Sequence, residues 1–203
     1  MKRKQLFVLG DSISIDYTPY VRQYLNSDWN VTRKGDIPAP EISGEIDRYN
    51  GTDSRIVLAY LQAVIHAIES QVLLLNCGLH DIKRQPADSE PCQISEADYR
   101  GNLKSIIDLI LVEQKKVIWV STTPVDPVQH RKVEKTFFRF NEDVIQYNKI
   151  ADEIMTQYKI MTIDLFTFTA QINQPLYRDH VHFYPEISKL QGAYLSGAIA
   201  SLF

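Results

Sequence analysis

The chain is expected to fold as an α/β protein, with a five-stranded parallel sheet covered by helices on both faces. Two observations predict this. Short apolar runs recur at Leu6–Leu9, Trp29–Thr32, Val72–Leu75, Lys116–Val120 and Ile160–Ile163. Between them lie longer segments whose apolar residues recur with a period near 3.6, and strands alternating with helices pair in parallel. A third observation limits the architecture to a single domain over 1–203. There is no internal repeat, no low-complexity tract and no evident linker, and 203 residues suffice for one proper core.

Each element has its own signals. After the first strand, Ile13, Tyr17, Tyr20, Val21, Tyr24 and Leu25 mark a helix face, with Pro19 tolerable only near its first turn. Residues 33–50 carry Gly35, Pro38, Pro40, Gly44 and four acids, which reads as a long surface loop. A second helix opens at Thr52-Asp53-Ser54, with Asp53 or Thr52 as its N-cap. Its apolar stripe is Ile56, Val57, Tyr60, Leu61, Val64, Ile65 and Ile68. The third strand ends at Asn76-Cys-Gly-Leu-His-Asp81, and a polar loop follows over 82–95. Ser95 starts a third helix, with Tyr99, Leu103, Ile106, Ile107, Ile110 and Leu111 on its expected buried side. A loop after Pro124 leads to a long helix over 137–158, residues 164–184 are irregular, and Pro185 opens a closing helix to Leu202.

Composition excludes several function classes. Apolar content of 44% and charged content of 23% are ordinary for a globular protein. A net charge of -3 supplies no basic field for nucleic acid and no polybasic membrane patch. Cys77 and Cys92 make no disulfide framework, and no CxxC or Cys/His cluster suggests a metal. Met1-Lys-Arg-Lys before Leu6–Leu9 faintly resembles a signal peptide, but the apolar run is too short for one. No run is long enough to span a bilayer. A cytoplasmic protein is the default expectation, and the oligomeric state is unreadable.

The chemistry-bearing residues fall after the first and third strands, at the start of the second helix and before the last helix. In a parallel sheet these places share one edge, where such sheets bind ligands. Gly10-Asp11-Ser12 ends the first strand and sets a hydroxyl there. Most such tripeptides are ordinary turns. Asp179-x-x-His182 changes the balance, because a short turn lets a carboxylate reach back to a histidine Nδ1 while Nε2 points outward. Ser12 as nucleophile, His182 as base and Asp179 as its orienting partner meet the needs of acyl transfer. His180 is a competitor for the base, although its spacing from Asp179 suits the geometry poorly. His66 and His130 are expected to be solvated or packed. Asn76 is either a pocket group or a satisfied strand-end residue. Phe166, Phe168, Tyr177 and Phe183 flank the candidate site and are either core or pocket lining.

Together these blocks resemble the SGNH/GDSL esterase and lipase superfamily, over residues 10–182. The resemblance implies a three-layer α/β/α flavodoxin-like sandwich, a serine esterase acting through an acyl-enzyme, and no metal or organic cofactor. It also implies an oxyanion hole built from the Ser12 amide, a glycine amide and an Asn side chain. Gly51, directly before Thr52-Asp53-Ser54, matches the glycine best, and Gly35 is the runner-up. The third block departs from the pattern: Gly78-Leu79-His80-Asp81 has His80 where the family has Asn. A neutral imidazole donates one hydrogen bond, as an amide would. A protonated His80 would donate a charged one and add a second pH dependence. The expected substrate is a small-molecule, glycan or lipid carboxylic ester, with an acyl group on a carbohydrate or a lipid among the candidates. The alternative is a catalytically impaired protein of the same fold that binds a ligand. A nucleotide or phosphate binder fits poorly, since no Gly-rich phosphate loop follows the first strand.

Overall fold

The computed structural model describes residues 3–203. Five strands form one parallel sheet: β1 (Lys4–Leu9), β2 (Trp29–Arg33), β3 (Val72–Leu75), β4 (Lys116–Val120) and β5 (Met161–Ile163), in the order β2-β1-β3-β4-β5. β1 is paired on both sides, Leu6 with Val31 and Val72, and Leu9 with Leu75. Its central position explains its sequence. Leu6, Phe7, Val8 and Leu9 are fully buried, each stabilising the fold by roughly 1.5–3 kcal/mol.

Helices α1 (Ser12–Leu25), α2 (Ser54–Val64), α3 (Glu96–Val112), α4 (Pro127–Val133), α5 (Asn141–Tyr158), α6 (Leu165–Ala170) and α7 (Pro185–Leu202) connect and cover the strands. α1 packs on α7, while α2, α3 and α5 pack in series. Asp53 is the cap of α2, accepting from the Arg55 and Ile56 amides, and Ser95 is the cap of α3.

Three expectations about the chain after β4 are corrected. The expected loop contains α4, which starts at Pro127 and is capped by Asp126. The long helix starts at Asn141 instead of residue 137. Phe138 instead exchanges backbone hydrogen bonds with Arg84 in an isolated bridge. The segment expected to be irregular holds α6, whose first turn is capped by Asp164 through the Thr167 amide. All three depend on short-range capping or on long-range pairing, neither of which leaves a periodic signal. Among the described residues, no helix is long and apolar enough to cross a membrane.

Candidate active site

Gly10 turns the chain out of β1, and Asp11 caps α1 by accepting from the Ile13 amide at 2.9 Å. Ser12 is therefore the first residue of α1, half-buried at the carboxyl edge of the sheet. Backbone N–H groups in a first helical turn lack intrahelical partners, and the helix dipole favours negative charge there.

Asp179 and His182 come from the segment between α6 and α7. Asp179 Oδ1 accepts from the amides of Val181 and His182 at 2.9 and 2.8 Å, which closes the Asp-x-x-His turn. Tyr177 bridges to Phe183, and the Tyr177 hydroxyl donates to the Pro124 carbonyl at 2.8 Å. Val181 and Phe183 point into the core, 2% and 0% exposed. Arg178 pairs with Asp16 of α1 at 3.0 Å. The turn is thus fastened both to the core and to the helix that carries Ser12.

The outcome is a continuous hydrogen-bonded line. His182 Nδ1 donates to Asp179 Oδ2 at 2.8 Å, and His182 Nε2 accepts from Ser12 Oγ at 2.8 Å. Burial raises the Asp179 carboxyl, but the amides of Val181 and His182 and the His182 imidazole outweigh it and bring the group down to about 2. It is an anion at any ordinary pH, so it can hold His182 in the Nδ1–H tautomer and stabilise an imidazolium.

The third block lies at the end of β3. Gly78 has φ +154°, and a Cβ there would sit 2.2 Å from Thr122 Oγ1, so the turn requires glycine. His80 follows, 6% exposed, and its Nδ1 is buried with no hydrogen-bond partner. Burial, then the positive charges of Arg139 and Lys83, hold the His80 imidazole far below its ordinary value. His80 is therefore neutral, which leaves it the single N–H donor of an uncharged imidazole. Asp81 does not contact His80. Its carboxylate oxygens accept from the Ser54 amide at 3.0 and 3.1 Å, at the start of α2, and burial raises it to about 7.

Gly51 lies against the Ser12 turn but not as expected. Its amide donates to the Gly10 carbonyl at 2.8 Å, and a Cβ on it would meet that carbonyl oxygen at 3.0 Å. In this arrangement the N–H is occupied, so the expectation that it faces an oxyanion is corrected. The glycine is needed instead for close backbone approach. Gly35 lies in the 34–48 loop, beside the Tyr49 ring.

Several expected roles resolve. Asn76 Nδ2 donates to the Val120 carbonyl at 2.9 Å, a satisfied strand-end residue. Phe168 stacks on Tyr194 at 4.1 Å and Tyr177 on Phe183 at 5.1 Å, so these aromatics pack among themselves. Phe166 lines an open cleft of about 860 Å³ beside Asn148 and Asp164. Cys77 and Cys92 are free thiols that burial pushes up, and hence unreactive. His66 is exposed and 3.2 Å from Glu113.

One residue was missed, and a second was expected only in outline. Arg139 is 3% exposed under the Gly78–His80 turn and donates from Nε to the Leu79 carbonyl at 2.6 Å. Burial lowers its guanidinium to about 10, which leaves it charged at neutral pH. His130, expected to be solvated or packed, is fully buried in α4 and contacts His180. A single Arg inside Phe-Phe-Arg-Phe, and a lone His in a charged segment, carry no sequence signal for these positions.

No protein-family model matches the chain, and no curated protein matches it in sequence. Solved structures do match in fold. A lipase/acylhydrolase from Enterococcus faecalis is 18% identical with a TM-score of 0.74, over 98% of this chain and 96% of that one. A GDSL-like lipase from Bacteroides thetaiotaomicron is 16% identical with a TM-score of 0.69, over 98% and 89%. A carbohydrate acetylesterase from Sinorhizobium meliloti is 14% identical with a TM-score of 0.69, over 99% and 100%. The chain has the fold of these GDSL lipases and acylhydrolases.

Proposed function

We propose that the protein is a serine esterase of the SGNH/GDSL type that hydrolyses a carboxylic ester through an acyl-enzyme. The observation that carries this is the Ser12–His182–Asp179 line, with both side-chain contacts at 2.8 Å. Ser12 Oγ attacks the ester carbonyl while His182 Nε2 takes its proton. The imidazolium, stabilised by Asp179, returns that proton to the departing alcohol. A water then enters by the same route in reverse, and the acid leaves. The developing oxyanion is met by the Ser12 amide at the N-terminus of α1, with His80 as a neutral donor. Gly51 contributes by holding the Gly10 carbonyl in place. The similarity in fold to lipases, acylhydrolases and a carbohydrate acetylesterase supports an acyl group on a carbohydrate or a lipid as the substrate class.

Turnover of p-nitrophenyl acetate by the wild type and by Ser12→Ala tests this reading. Wild-type hydrolysis that disappears in the variant supports it, and equal rates in the two would sink it. A fluorophosphonate probe adds a covalent readout: it should label the wild type at Ser12 and leave Ser12→Ala unlabelled.

A further inference from the structure

Two further imidazoles, His180 and His130, stand in a row beside His182 of the triad. His130 is fully buried. Its Nε2 lies 3.1 Å from the Phe137 carbonyl, and its Nδ1 lies 3.3 Å from His180 Nδ1. The His180 and His182 rings are 5.7 Å apart, edge to face. None of these contacts belongs to the acyl-transfer machinery.

Hydrogen-bond counting assigns the protons. A carbonyl only accepts, and a neutral imidazole carries one N–H. The shorter contact puts the His130 proton on Nε2, toward Phe137. Either tautomer sets one ring lone pair against a carbonyl, that of His180 at 3.3 Å or that of Phe137 at 3.1 Å, and the assignment follows the shorter contact. With the proton on Nε2, His130 Nδ1 accepts from His180 Nδ1–H. His180 Nε2 is then left as a bare lone pair. A metal-ligating histidine characteristically donates its other ring N–H to a fixed acceptor, and here His130 Nδ1 takes that place.

We propose that Asp179, His180 and His182 form an inhibitory site for a borderline-soft divalent cation, with Zn²⁺ the best fit. The inhibitory consequence rests on the esterase reading, whereas the binding does not. Each of the three residues offers one ligand atom, all within 4.8 Å of one another, and all three are partly exposed. One carboxylate oxygen and two imidazole nitrogens suit zinc, with water as the fourth ligand. Bonds of about 2.0–2.2 Å place tetrahedral ligands roughly 3.3 Å apart. Asp179 Oδ2 and His182 Nδ1, now at 2.8 Å, would open slightly to admit the ion. His180 would close toward them.

The proton balance defines how the ion inhibits. The ion takes the His182 Nδ1 lone pair, so the proton there moves to Nε2 and none is released. His182 then presents an N–H to Ser12 where it had accepted from it. It can no longer take the Ser12 proton.

Calorimetric titration with ZnCl₂ in a non-chelating buffer tests the proposal, on the wild type and on Ser12→Ala, which keeps all three ligands. The expected result is one Zn²⁺ bound by both, with affinity falling at least tenfold in His180→Ala and in the bulkier His180→Gln. MgCl₂, which prefers all-oxygen ligands, should produce no matching heat. In the unmodified chain, saturating Zn²⁺ should shift the imidazole ¹⁵N resonances of His180 and His182, and p-nitrophenyl acetate turnover should fall in step with occupancy. No binding, an affinity unchanged in folded His180 variants, or a shift confined to His66 would each overturn the site. If binding depends on His180 but no esterase activity exists in the wild type, the site stands and the esterase reading falls.

Discussion

The two walls of the Ser12 cleft are built to different standards. On the Asp179–His182 wall every polar atom of the line is partnered, and the turn is tied to the core through Tyr177 and to α1 through Arg178. On the Gly78–His80 wall the opposite holds. His80 Nδ1 is buried without a partner, Arg139 Nη1 behind the turn is likewise unpartnered, and the Gly51 amide is occupied by Gly10. Buried polar atoms left unpaired typically cost about 1–3 kcal/mol each. Under the proposed mechanism, activation of Ser12 is assembled in advance, while the His80 side of the oxyanion site is not. The rate should depend steeply on the first wall and tunably on the second.

The sharpest way to break this contrast is Ser12→Ala, expected to lower kcat by roughly 10⁴-fold or more in the p-nitrophenyl acetate assay. A loss of only a few fold would mean that the well-ordered wall does not carry the chemistry.

The second wall is tested at His80. His80→Ala should cost about 10²-fold in kcat, the scale of removing one oxyanion donor. His80→Asn should keep or raise activity, because the side-chain amide supplies N–H donors in the same place. If His80→Ala is silent in steady-state kinetics, the oxyanion role is wrong. Since His80 is neutral, neither substitution should remove an ionisation from the pH–rate profile.

Gly78→Ala sharpens the same point through stability. The added Cβ would sit 2.2 Å from Thr122 Oγ1 at φ +154°. Overpacking of this kind costs roughly 1–3 kcal/mol, with about 2–4 °C of Tm for each kcal/mol in a chain of this size. A thermal melt that does not move would show that the turn has room to relax.

The smallest effect belongs to Asp179. Its carboxyl is lowered from 3.8 to about 2 in the folded chain. The sign follows from linkage: the folded state binds this proton less tightly, so the contribution is present above the unfolded value and is lost as pH falls from about 4 toward 2. Acid melts of Asp179→Asn should therefore be flatter than wild type across that window. Because the carboxylate is partly exposed, solvent screening keeps the difference small.

How much of this was legible in the chain differs by residue. Ser12, Asp179 and His182 were readable because local rules place them: a glycine ending a buried strand, and a carboxylate three residues before an imidazole. Gly51 was found but misassigned. Its neighbours indicate a helix start, yet the partner of its N–H is Gly10, forty-one residues earlier in sequence. Asp81 accepts from the Ser54 amide twenty-seven residues earlier, at the start of α2. Arg139 was not readable at all, since a buried cation acquires its role only from what packs around it, and for His130 the packing was expected but not its contact with His180.

The amino-acid pattern alone was enough for the five-strand alternation and the Ser…Asp…His order, because hydrophobic period, capping and short turns are properties of neighbouring residues. Tertiary packing decided which polar groups near Ser12 are already paired. That depends on desolvation and on pairings between segments far apart in the chain, such as Arg139 with Leu79 and His130 with His180, and no local signal records them.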